Sequence, residues 1–193
     1  MKKMFIGASV FFLVAAFACK PSLKNETNKW NENQKIYKEL TSSYSHFESH
    51  LSDVQKKATA AYADYQKASG EEKKAAALAK ANNIYSSDKV FDGLRSVREK
   101  NKNINDGIRR LYKKSYKSKH RRKVQNYIAS AREKQKEANR ILRDSSVNSA
   151  EKAKETLEKA LDKLDKADGD IDNALNVGKK KTKWKKKKKK KKY

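Results

Sequence analysis

The chain has 193 residues, enough for one domain of ordinary size, and 37% of them are charged. One proline and six glycines suit long helices with little loop, while 9% aromatics argue against simple disorder. Of a formal net charge of +26, the twelve lysines from Lys179 onward carry +12 and Lys2 and Lys3 carry +2, so the body keeps +12. Such a charge calls for anionic partners: lipid head groups, lipopolysaccharide, cell-wall polymers, acidic glycans or nucleic acid.

The chain opens MKKMFIGASVFFLVAAFACKPSL. Lys2 and Lys3 form a basic region, and Met4 to Phe17 is an apolar run of fourteen residues. A membrane span needs roughly 20 residues, so the run reads as a secretory signal over residues 1–18. Small residues then lead into Cys19, the single cysteine, which leaves no intrachain disulfide.

A lone cysteine at this place resembles the lipobox of bacterial lipoproteins, in which the cysteine is diacylated and the signal is cut before it. Ala18 and Ala16 fit that pattern; Phe17 departs from the small residue usual there. Lipoproteins of spirochaetes are similar to this looser version. The resemblance implies palmitate-type acylation at Cys19, and two or three chains anchor stably where one is marginal. Lys20 in place of aspartate implies sorting to the outer membrane. Residues 19–28 are then a lipidated start and tether.

From Trp30 the seam runs Trp30, Asn33, Tyr37, Leu40, Tyr44, Phe47, Leu51, Val54, Ala58, Ala61, Tyr65, Ala68 in strict three-four alternation. The spacing predicts one continuous helix on the order of 60 Å long at ~1.5 Å per residue. Asn33 at a seam position is placed to fix register. Ser69-Gly70-Glu71-Glu72 predicts a stop and restart, followed by an alanine-rich helix over 71–82.

The phase slips near Ser86-Ser87-Asp88 and resumes as Val90, Leu94, Val97, Asn101, Ile104, Ile108 and Leu111. Gly93 and Gly107 lie inside this segment, where bending rather than termination is expected. A second slip at 113–123 precedes Val124, Ile128, Ala131, Gln135, Ala138 and Leu142. Asn148 with Glu151 reads as a capping-box variant. The last helix carries Ala150, Ala153, Leu157, Ala160, Leu164, Ala167, Ile171 and Ala174, with Gly178 as its C-terminal cap.

The expected fold is therefore all-α. It is an elongated antiparallel bundle of three to four long helices over 29–177, with coiled-coil-like heptads. An extended oligomeric coiled coil is the competing architecture, which keeps self-association open.

Nine cations and no acid lie between Gly107 and Ala131: Arg109, Arg110, Lys113, Lys114, Lys117, Lys119, Arg121, Arg122 and Lys123. Tyr112, Tyr116 and Tyr127 are interleaved with them, and His120 lies inside. This reads as an anion-binding patch, with arginines suited to bidentate phosphate or sulfate contacts. The competing reading is a solvated helix corner.

His46 and His50 share a helix face at i,i+4 and could ligate a metal, but no third ligand is evident and a polar flank is expected. No phosphate loop or nucleophile elbow is present, and carboxylates sit at ordinary i,i+4 spacing from lysines. Neither an enzyme nor a cofactor is expected.

The segment 178–193 holds Lys179, Lys180, Lys181, Lys183, Trp184, Lys185, Lys186, Lys187, Lys188, Lys189, Lys190, Lys191 and Lys192. Mutual repulsion predicts a disordered, extended tail reaching up to ~50 Å. Trp184 and Tyr193 bracket the octalysine and favour interfaces. The layout resembles Braun-type tethering lipoproteins, lipid at one end and the wall at the other, except that this chain ends in Tyr193 rather than the linking lysine.

The expected function is that of a lipid-anchored cell-envelope protein. Its tail and basic patch would hold a polyanion: a cell-wall polymer, lipopolysaccharide or anionic lipid. The alternative is a surface adhesin for host glycosaminoglycans or lysine-recognising plasma proteins. Export argues against nucleic acid as the partner.

Overall fold

The structure is a computed structural model that describes residues 21–178. The signal at 1–18, Cys19, Lys20 and the lysine segment from Lys179 with Trp184 lie outside the described residues. Within them the fold is all-α, with no strand. Six α-helices replace the expected three to four: α1 Leu23–Ser43, α2 Glu48–Lys67, α3 Glu71–Ser87, α4 Lys89–Lys113, α5 Ser118–Asp144 and α6 Ala150–Leu175.

The predicted continuous helix from Trp30 to Ala68 is broken at Tyr44. Tyr44 sits at φ −133, ψ 67, and a short 3₁₀ turn, Ser45–Phe47, follows it. The cause is local. Thr41 and Ser42 hydroxyls donate to the carbonyls of Tyr37 and Glu39, competing with the helix ladder. Both halves still bury one seam, because α1 and α2 fold back on each other: Trp30 stacks on Tyr62 with ring centroids 4.5 Å apart. The core positions of α1 are Asn33, Ile36 and Leu40, so Ile36, absent from the predicted seam, is part of the core.

The helix begins at Leu23, capped by the Ser22 hydroxyl, so residues 23–28 assigned to a tether are helical. Residue 70 takes φ +85 between α2 and α3, as the Gly70 stop requires. The predicted helix over 71–82 runs on to Ser87, burying Ala75, Leu78, Ala81 and Tyr85. Burial pushes the Tyr85 phenol up to about 12.

At the first phase slip, Asp88 ends α3 and caps α4. Its carboxylate accepts from the backbone N–H groups of Val90 at 3.1 Å and Phe91 at 2.8 Å. It also faces His50 Nε2 at 3.0 Å. Tyr85 and Phe91 meet across this joint at 4.9 Å, over the fully buried Phe47. Such a cap is worth about 1 kcal/mol by itself.

Helices α4, α5 and α6 form a second up-down-up unit. Its last helix packs along both α5 and α4. The cap of α6 is Ser149, whose hydroxyl accepts from Lys152 N–H, and not the predicted Asn148. A narrow seam of Ala153, Ala160, Ala167 and Ala174 alternates with Leu157, Leu164 and Ile171, all buried.

The two glycines of α4 fix the register. A Cβ on Gly93 would stand 3.0 Å from Leu157 Cδ1, and one on Gly107 would stand 2.5 Å from Ile171 Cγ2. The glycines are fourteen residues apart and so are their partners, so α4 and α6 run parallel in one heptad register. The helices bend at neither by termination; close approach is what the glycines serve.

Single glycines should therefore respond with opposite signs. Gly169 lies exposed within α6 with nothing near a new Cβ. Gly169→Ala should raise stability by up to ~1 kcal/mol through helix propensity. Gly107→Ala has the same gain but forces Ile171 to move, and should lower stability by about 1–2 kcal/mol net. Urea unfolding followed by circular dichroism reads both.

Candidate functional site: a cationic pole

The predicted basic patch maps onto one end of the second unit. Arg109, Arg110 and Lys113 occupy the last turn of α4, and Lys114 and Lys117 the connecting turn. Lys119, Arg121, Arg122 and Lys123 occupy the first turns of α5. All nine are exposed. Among the described residues Arg109 alone of the nine has a carboxylate partner, Asp106 at 3.4 Å.

Charges elsewhere are treated differently. Arg98 pairs with Glu39, Lys100 with Asp165, Lys134 with Asp170 at 2.6 Å and Lys163 with Glu137 at 2.7 Å. These ties cross between helices. The body balances its charge and the pole does not.

The helix dipoles sharpen the contrast. Cations suit the C-terminal end of α4. At the N-terminal end of α5 they oppose the dipole, and no side chain caps that end. Four cations facing exposed N–H groups form a place where an added anion lowers the energy of every group present.

The second cationic element starts at the same place. Gly178 takes φ +89, and a Cβ there would stand 3.9 Å from the His120 ring. His120 lies between Lys119 and Arg121. The described residues therefore end, at Gly178, beside the α4–α5 turn.

Aromatic rings are set among these charges. Lys114 Nζ lies 5.7 Å from the Tyr116 ring, Lys123 Nζ 6.0 Å from Tyr127, and the Arg132 guanidinium 5.7 Å from Tyr112. Tyr112 is 63% exposed. A recess of about 250 Å³ opens between Leu111, Tyr112, Lys114, Tyr116, Arg121, Val124 and Ile128. The Tyr116 hydroxyl is buried without a hydrogen-bond partner, and burial pushes its phenol above the ordinary range. The tyrosine spacing was visible in the sequence; the recess and the orphaned hydroxyl were not.

The structure also holds a polar cleft of about 820 Å³ between α1 and α3, lined by Pro21, Glu26, Lys29, Asn33, Asn82 and Arg95 among others. Here Asn33, singled out in the seam, donates to Asn82 Oδ1 at 3.2 Å. Asn82 in turn donates to Glu26, both to its carbonyl and to its carboxylate, at 2.9 Å. Glu26 is 6% exposed. Burial raises its pKa, but hydrogen bonds from Lys29 and Asn82 outweigh that and hold the carboxyl below its ordinary value. Glu26, Asn33 and Asn82 lock α1 against α3 across the cleft.

His46 lies exposed in the 3₁₀ turn while His50 is engaged by Asp88. Among the described residues no group of three candidate ligands gathers for a metal. No described helix is long and apolar enough to cross a membrane.

The polar lock has a pH signature. Because the Glu26 pKa is lowered on folding, its contribution is fully present above the ordinary carboxylate value of 4.5 and is lost as pH falls through the lower native value. Glu26→Gln should be less stable than the parent at pH 7, and the gap should close on acidification. Thermal unfolding across pH 7 to 3 measures it. At the start of α5, Lys119→Glu should raise stability by about 0.3–1 kcal/mol by complementing the helix dipole, while weakening retention on an anionic matrix.

Comparison with known protein families, curated proteins and solved structures returns no match.

Proposed function

We propose that this is a lipid-anchored, non-enzymatic protein of the bacterial cell envelope that holds a polyanion at its cationic pole. The observation that carries the reading is the position of Gly178 beside His120. It puts the residue that precedes the twelve lysines of 179–193 at a turn that bears nine cations, eight of them without a carboxylate partner among the described residues.

The ends of the fold support a tether. Helix α1 runs parallel to α3, as the contacts of Asn33 and Gln34 with Asn82 and Tyr85 require. Helix α4 starts directly from the end of α3 at Asp88, and α6 runs parallel to α4. Leu23 therefore lies by the start of α3 and Gly178 by the end of α4, with the Asp88 joint between them. The 25 residues of α4 span on the order of 40 Å at ~1.5 Å per residue. Acyl chains on Cys19 would hold one end in the outer membrane. The other end would reach a cell-wall polymer, lipopolysaccharide or anionic lipid. Heptad packing between α4 and α6, with coiled-coil-like alternation of small and large residues, would stiffen the span.

Near an anionic surface each lysine contributes up to ~1 kcal/mol before mutual repulsion, and micromolar affinity needs only about 8 kcal/mol. Screening makes such binding steeply salt-dependent.

The test uses the full chain, a version ending at Gly178, and Cys19→Ser. Ending the chain at Gly178 should weaken retention on immobilised heparin on the order of a hundredfold, about 2.7 kcal/mol. It should also flatten the salt dependence. Cys19→Ser should lose incorporation of a palmitate analogue in cells. Unchanged heparin retention after truncation would remove the lysine segment from the function, and persistent labelling of Cys19→Ser would remove the anchor. Protease shaving of intact cells decides the side: loss of residues 179–193 from intact cells favours the adhesin reading for host polyanions.

A further inference from the structure

We propose that the recess at the α4–α5 turn seats a single anionic lipid of an apposed membrane. Its phosphate lies between Lys114 and Arg121, and the start of an acyl chain lies on Leu111, Val124 and Ile128. The inference rests on the polyanion reading and narrows the partner within it.

Three features separate a lipid from a hydrophilic polymer. The first is the floor. A polymer of charged sugars uses only the cationic rim, whereas Leu111, Val124 and Ile128 lie beneath Lys114 and Arg121 in the same recess. An amphiphile with an anionic head uses both. The second is size. A space of about 250 Å³ holds roughly eight waters at ~30 Å³ each, the volume of a phosphate with a few attached carbons.

The third is the Tyr116 hydroxyl. It is buried without a partner in the wall of the recess. As a phenol it can donate to a phosphate or ester oxygen once the ring turns toward the occupant. Around it, Tyr112 stands 63% exposed among lysines and arginines. Amphipathic rings beside long cations are what membrane interfaces select.

Charge complementarity identifies the head group. Of the nine cations between Gly107 and Ala131 only Arg109 has a carboxylate partner among the described residues, so a neutral or zwitterionic surface offers the recess much less than an anionic one.

The experiment uses the full chain carrying Cys19→Ser, to remove acylation. Binding is measured to vesicles of phosphatidylcholine containing phosphatidylglycerol, with pure phosphatidylcholine vesicles as the baseline for the apolar N-terminal run. Two pairs of substitutions remove equal charge from the same pole. Lys114→Gln with Arg121→Gln strips the rim; Arg110→Gln with Arg122→Gln strips exposed cations outside the recess. Exposed glutamines leave the fold intact, which circular dichroism checks.

The rim pair should lose at least about tenfold more vesicle affinity than the matched pair, while both lose equally on heparin. Tyr116→Phe should lose about threefold on anionic vesicles, roughly one modest hydrogen bond, and nothing on heparin. Equal vesicle losses for the two pairs would overturn the lipid seat and leave the polyanion reading standing. A parent chain that neither prefers anionic vesicles nor binds heparin would overturn both.

Discussion

The carboxylate of Asp88 governs the architecture. Two backbone N–H groups of α4 and the imidazole of His50 converge on it. An aspartate here ends α3 and begins α4 in one step, with no room for a hairpin between them. Across this joint Arg95 and Arg98 of α4 reach Glu32 and Glu39 of α1.

Electrostatics also divides the molecule. Between α1 and α4, α4 and α6, and α5 and α6, lysines and arginines reach carboxylates on the neighbouring helix, and each such pair contributes little by itself. At the α4–α5 turn the carboxylates stop. A like-charge pair 10 Å apart in water costs only ~0.4 kcal/mol, so the fold tolerates the cluster. Apart from the Arg109–Asp106 pair no described carboxylate balances the cluster, and it meets an uncapped helix start. Stability alone gives no reason for that arrangement, since one glutamate in the first turn of α5 would relieve it.

Helix-scale pattern was legible in the sequence; breaks inside a good pattern were not. The seams of α4, α5 and α6 follow the three-four spacing almost residue for residue, because long amphipathic helices bury what their period dictates. The run from Trp30 to Ala68 obeys the same period on both sides of Tyr44, so its periodicity hid the turn that serine and threonine hydroxyls make there. Asn33 was visible as a polar residue in a seam. Its partner Asn82 sat in an alanine-rich stretch where nothing local marks it, because the bond spans 49 positions. The nine cations of the pole could be listed from sequence. Their nearness to Gly178 could not, because it depends on where α6 stops relative to His120.

The parallel register of α4 and α6 also bears on load. A pull on Gly178 away from the second unit loads α6 along its own axis. Helix α6, gripped along its whole length by α5 and α4, is then loaded in shear, with every alanine and leucine of its seam resisting together. Peeling from one end, which breaks contacts one turn at a time, is not the geometry offered. Lifetime under such tension is set by the rate of unfolding rather than by equilibrium stability. The two glycines of α4 bring α6 close enough for that grip.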